Sequence, residues 1–327
     1  MKVIVPNKLE LLSCNIAETG TLWNAEDTYA KGKRVRHEHV LYDSLIASNR
    51  GNIPSETYSG ENAAWKKIGA TNPYMMLDDY LETQTVAPLQ KNLKFTVPFN
   101  RATALALLNM EGSYVRIRIW DNDDAAYIQF EENGNKTYID VNLIEDISSL
   151  SLWEYCYEPI AGRDTYVRTG LPLVINGRLE VTIYPGNPPE EGEADDTEDE
   201  TAMYDGRAKC GHVLVGREHN IGYTKYDAEV GITDYSRKVT DEFGTTTFVK
   251  RSWAKTASLA LYLHPDKSNT VTKTLTGIRA APCLFVGDNQ DTADYRVLSL
   301  YGWIEDWRCV FSGPNEVELN LDIQGLI

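Results

Sequence analysis

The stretch YVRIRIW, residues 114–120, alternates strictly between apolar and polar or aromatic side chains. Val115, Ile117 and Ile119 fall on one side of an extended chain, and Tyr114, Arg116, Arg118 and Trp120 on the other. Side chains of a β-strand alternate with a period of two, so this pattern predicts a strand with one face in a core and one toward water. The pattern returns further along. TYIDVNL turns Ile139, Val141 and Leu143 inward, LEVTI turns Leu179, Val181 and Ile183, and EVELNLDI turns Val317, Leu319, Leu321 and Ile323. Between such runs, Asn133-Gly134, Asn176-Gly177 and Asp205-Gly206 tolerate positive φ and favour tight reversals over crossover helices. Half-wet strands joined by hairpins build antiparallel sheets. The expected fold class is mainly β, a small N-terminal β module followed by antiparallel β-sandwich-like units. Helical spacing is scarce: Val271, Leu275 and Ile278 before Pro282, and a second short stretch at 74–82.

Composition agrees with a folded chain able to build a sizeable core: 327 residues, 42% apolar and 24% charged. The charge is lopsided. With 32 Lys+Arg against 48 Asp+Glu the formal net charge is −16, which repels a polyanion, so no nucleic-acid binding is expected. No run approaches the ~18 apolar residues of a membrane helix, and MKVIVPNKLELLS lacks the apolar centre of a secretory leader. No membrane insertion is expected. Cys14, Cys156, Cys210, Cys283 and Cys309 are odd in number and far apart, with no C-x-x-C spacing; they read as reduced, with Cys156 and Cys309 in apolar strand-like settings.

Four segments emerge from composition. Residues 1–80 carry aromatics among Asn, Gly, Ser and Pro and read as a small β unit; residues 85–185 hold the cleanest alternation and read as an antiparallel sandwich. Residues 186–205 form an acidic loop or linker, with eight acids between Glu190 and Glu200, a run that cannot fold on itself. Residues 206–327 make a C-terminal β-rich unit.

Catalytic signatures are missing: no phosphate-binding glycine loop, no nucleophile elbow, no H-E-x-x-H. The chain is expected not to be an enzyme and to need no cofactor. His37 and His39 share a strand face if the strand runs through both, yet no third metal ligand lies near, so no metal site is expected. Asp121-Asn122-Asp123-Asp124 lacks the spacing of a calcium loop and reads as a turn after a strand. Carboxylates abound, but nothing in their spacing singles out the pair a glycosidase uses.

Aromatic placement says more. Trp23, Tyr29, Tyr42 and Trp65 are spread through a segment too small to bury many large rings. Two readings stand: the rings form the mini-core of a small β unit, or some present flat faces on which a sugar can stack.

This segment resembles the chitin-binding type of carbohydrate-binding module. The match runs over residues 22–69 through Trp23, Thr28-Tyr29, Gly32, Val35, Val40-Leu41-Tyr42, Asn49, Gly51, Pro54 and Trp65. The following IGATNPYMMLD at 68–78 is similar to a phrase that accompanies the module in tail proteins of tailed bacteriophages. GIRAAP at 277–282, LYG at 300–302 and GITDYSRKVTDEFGTTTFVKR at 231–251 resemble further stretches of the same virion proteins. The resemblance implies a structural protein of a phage tail, tail tip, baseplate or fibre-attachment region, present in the virion and made in the host cytoplasm. Its partners would be other tail proteins and copies of itself in a symmetric assembly, with host surface glycan as an alternative partner. On that reading Tyr29, Tyr42, Trp23 and Trp65 are the candidate sugar contacts. Lys238, Arg251 and Trp253 are the candidate subunit contacts, meeting the acidic loop of a neighbour.

Overall fold

The alternating stretch forms the strand Tyr114–Asp121, with Val115, Ile117 and Ile119 at 0, 1 and 0% exposure. It lies in a computed structural model that describes residues 1–131, 134, 136–144, 153, 162–189, 205–240, 242–287 and 296–326. Strand accounts for 50% and helix for 8%, in several antiparallel sheets, so the mainly β class expected from the alternation is the class observed.

In chain order the strands begin β1 (Lys2–Pro6), β2 (Ser13–Cys14), β3 (Thr21–Leu22), β4 (Arg34–His37), β5 (Val40–Ser44), β6 (Trp65–Ala70), β7 (Thr85–Val86) and β8 (Leu93–Phe99). Next come β9 (Ala104–Glu111), β10 (Tyr114–Asp121), β11 (Ala126–Tyr127), β12 (Ile139–Asn142), β13 (Tyr166–Arg168), β14 (Gly177–Tyr184) and β15 (Lys209–Asn220). The last are β16 (Tyr223–Thr224), β17 (Glu229–Asp234), β18 (Arg237–Thr240), β19 (Thr246–Val249), β20 (Trp253–Leu263), β21 (Cys283–Val286), β22 (Ser299–Gly313) and β23 (Glu316–Gly325). A helix, α1 (Pro265–Gly277), follows β20.

Eleven strands make a long sheet in the order β13-β9-β15-β1-β21-β22-β23-β20-β16, with β7 beside β15 and β17 beside β20. Six more, β11-β10-β14-β8-β2 with β12 beside β10, make a second sheet. β3-β4-β5-β6 form a four-stranded module, and among the described residues β18 and β19 pair only with each other. Segments 85–185 and 206–327 therefore share the long sheet through β9 and β15, while β1 and β2 carry the first residues into the two large sheets.

The inward residues of the alternating runs fill two cores. In the first, Leu93, Phe95, Val97, Val115, Ile117 and Val181 of the second sheet pack against Leu105, Leu107, Val213 and Val215 of the long sheet, a sandwich of two layers. In the second, Val271 and Leu275 of α1 lie on Leu259, Leu261, Val317, Leu319 and Leu321. The 3.6-residue spacing that placed a helix near Val271 is thus an amphipathic stripe covering the sheet. The 74–82 stretch is a 3-10 helix over Asn72–Leu77 that buries Met76. On the opposite side of the long sheet, Ile4, Ala106, Leu108, Leu214, Leu284 and Tyr301 form a third cluster.

The solvent side of β10 is drier than simple alternation implies. Arg116 is 5% exposed, its guanidinium paired two-pronged with Asp140 at 2.7 and 2.9 Å and lying 4.6 Å from the Tyr138 ring centroid. A buried cation is tolerated only with such a partner, and Asp140 on the neighbouring β12 supplies it, holding Arg116 more firmly protonated than usual. Gly302 in the LYG phrase has a packing reason: a Cβ there would run into the Gln324 carbonyl oxygen on β23.

Candidate functional site

In the small module, β4 and β5 are joined by a two-residue reversal in which Glu38 and His39 have φ of 49° and 64°. Positive φ at both centres is what a tight hairpin turn with the right twist requires. The reversal separates the two histidines that a continuous strand would have aligned. His37 meets the Trp23 ring edge-on at 5.1 Å, while His39 stacks on Tyr74 at 3.8 Å and bonds Glu18 through Nδ1 at 2.8 Å. Among the described residues no three His, Cys, Asp or Glu side chains converge as a metal site would need. Asp121 closes a turn after β10, its Oδ1 accepting from the Asp123 amide at 3.0 Å.

The four rings named as sugar contacts are drawn together as a core. Tyr29, Tyr42 and Trp65 are 5, 3 and 0% exposed, with Tyr29 packed 5.5 Å from Trp65, and Trp23 lies half-buried against them. Trp65 donates its indole N–H to the Asn52 carbonyl at 2.9 Å, and the Asn24 amide donates to the Tyr29 hydroxyl at 2.7 Å. Tyr29, Tyr42 and Trp65 thus have almost no ring face open for a sugar to stack on, and they fit the mini-core alternative. A segment of this size has little else to bury, so its rings go inside. Asn49 is also buried, its amide bonding Ser44 Oγ and the Ala64 carbonyl at 3.1 Å each, so this word of the resemblance is framework.

The free cysteines Cys14, Cys210, Cys283 and Cys309 behave as small apolar groups; burial pushes the Cys210 and Cys283 thiols up to about 12 and about 11. Cys156 lies outside the described residues, as does the acidic run from Glu190 to Glu200.

The phrase at 231–251 folds as a projecting arm. β17 pairs with β20 from Glu229↔Ser258 to Asp234↔Trp253, after which β18 and β19 continue as a hairpin that no third strand joins among the described residues. Its tip turns at Gly244, φ +80°. Every residue of β18 and β19 is exposed, including Val239, Phe248 and Val249. The root is tied down: Gln324 Nε2 donates to the Tyr235 hydroxyl at 2.9 Å, the Arg251 amide to Ser236 Oγ at 3.0 Å, and Ser236 holds the Asp234 carboxylate below its usual range. Of the three contact candidates, Lys238 and Arg251 sit on the arm. Trp253 sits at its root, 47% exposed, beside a cleft of about 280 Å³ that Lys255, Leu108, Leu284 and Tyr301 also line.

A feature that sequence spacing did not reveal lies on the long sheet beside the arm. Register places Glu229, Ser258, Asp322 and Asp306 in one row across β17, β20, β23 and β22. Asp322 accepts from Ser258 Oγ at 2.6 Å, and Asp306 pairs with Arg308 at 3.0 Å. The members are far apart in the chain, so only cross-strand register assembles them. No protein-family model and no curated protein matches the chain.

Proposed function

We propose that this chain is a structural component of a bacteriophage tail that works by making contacts with neighbouring proteins rather than by catalysis. The observation that carries the reading is the arm. A two-stranded hairpin alone is marginal in water, and this one holds Phe248 74% exposed and Val249 44% exposed, with no covering strand or helix among the described residues. Apolar side chains held out on an extended strand pair are what a protein offers to a neighbour. The stretch that resembles phage virion proteins at 231–251 coincides with this arm, which supports the same reading.

The alternative, a tail adhesin holding host glycan through the N-terminal module, is the weaker reading. Of the rings expected to contact sugar only Trp23 keeps partial exposure. The test is to purify virions and quantify the chain by mass spectrometry, with and without the arm residues 236–250 replaced by a short glycine linker. The expected result is a fixed copy number for the intact chain and its loss from particles when the arm is gone. An intact chain that is absent from particles overturns the reading.

A further inference from the structure

The arm and the carboxylate row differ in charge as well as in shape. Arg237, Lys238, Lys250 and Arg251 give the arm four cations against three acids, Asp234, Asp241 and Glu242, on a chain whose net charge is −16. None of the four forms a close ion pair with another described residue, though the charge of Lys250 helps hold the Asp234 carboxylate below its usual range. The row carries the opposite sign. Glu229, Asp306 and Asp322, with Asp227 and Glu305 beside them, line two adjoining depressions of about 330 and 280 Å³ on the long sheet. Asp322 and Asp306 stand directly opposite each other on β23 and β22, a like-charge pair that destabilises a sheet until a cation is supplied. Arg308 answers Asp306, and Ser258 gives Asp322 a hydrogen bond but no charge.

Resting on the assembly reading, we propose that the arm of one copy docks across the Glu229–Ser258–Asp322–Asp306 row of a second copy of this chain. Arginine forks match carboxylates in two-pronged geometry, and lysines add point charge. Lys238 shares a face of the arm with Phe248, and Arg237 shares the other with Val249, so either face brings a cation together with an apolar side chain. An apolar contact gives affinity, and the charge pattern selects the partner and the register. Two otherwise acidic bodies repel each other everywhere except where this arm meets this row.

The experiment is sedimentation equilibrium of the full chain over a concentration series, at low and high salt, with two charge-reversed variants. One is Lys238→Glu with Arg251→Glu, the other Glu229→Lys with Asp322→Lys. The expected result is self-association of the unaltered chain that weakens with salt. Each variant alone should associate at least about tenfold more weakly, and a mixture of the two should recover association. All these positions are at the surface, so the thermal midpoint should not move; if Asp322→Lys lowers it, Glu229→Lys alone replaces that variant. An unaltered chain that stays monomeric, or reversed variants that associate as it does, overturns the docking. If the unaltered chain stays monomeric while the Lys238→Glu/Arg251→Glu variant is lost from virions, the arm's partner is a different tail protein and the assembly reading survives. If that variant and the arm-replaced chain both enter virions normally, the arm has no part in assembly and the docking falls, while a chain present in particles keeps its structural role.

Discussion

Phe248 stands directly across from Lys238 on the arm, and the residue is 74% exposed to solvent. A phenylalanine in that position contributes little to the stability of its own chain, because it buries almost nothing. Phe248→Ser should therefore change the unfolding free energy by no more than about 0.5 kcal/mol while making the protein less prone to self-associate. Chemical denaturation beside light scattering checks both halves. A loss of several kcal/mol would mean that the ring is part of a core.

Trp65 is the opposite case. It is wholly buried, touches Tyr29 and donates its indole N–H to Asn52. Trp65→Ala should cost about 3–5 kcal/mol, confined to the four-stranded module. Limited proteolysis should then cut between residues 20 and 70 while the two large sheets stay protected. A Trp65→Ala protein as resistant as the parent would mean that the ring is not structural.

Asp140 keeps the buried Arg116 neutralised. Asp140→Ala leaves that cation without its partner. Asp140 itself is 28% exposed, so water recovers part of the loss. The expected cost is about 2–3 kcal/mol, below the ~3–5 kcal/mol of a fully enclosed pair. The double change Arg116→Met with Asp140→Ala should recover much of it. Urea unfolding of the single and double variants separates the terms.

His212 on β15 lies buried beside Tyr301, ring centroids 4.9 Å apart. Burial favours the neutral imidazole and lowers its pKa from the usual 6.5, and burial likewise pushes the Tyr301 hydroxyl up to about 12. Unfolding returns His212 to the ordinary value, so between the two pKa values the unfolded chain binds more protons. Stability from this group is complete above about pH 6.5 and falls as the pH drops toward the folded-state value. His212→Phe should flatten the slope of the thermal midpoint between pH 6.5 and 5, leaving a residue from His219, whose pKa burial and Arg217 also lower. An unchanged slope would mean that His212 is not the group responsible.

Much of the fold could be read from local pattern because period two and period 3.6 are local properties. Val115, Ile117 and Ile119, or Val317 through Ile323, needed only their own neighbours to show which face was buried. The pairing of β1 with β15 and β21 could not be read, since strand order depends on contacts hundreds of residues apart. The rings of the small module were legible as a cluster, yet their exposure was not, because that depends on how much else the segment has to bury. Lys238 and Arg251 stood out as cations in a turn-rich stretch. The sequence offers the acidic run at 190–200 as their counterpart, whereas the row on the long sheet exists only through the register of four strands.

The place of β1 sets a timetable. Val3 lies between His219 on one side and Phe285 on the other, so this strand waits for partners made more than two hundred residues later. Synthesis order and sheet order disagree. A chain halted between β15 and β21 has one edge of β1 bonded and the other open, an unfilled template for any passing strand. Such non-local closure is slow, so this protein is expected to spend its early life with the middle of its longest sheet unfinished.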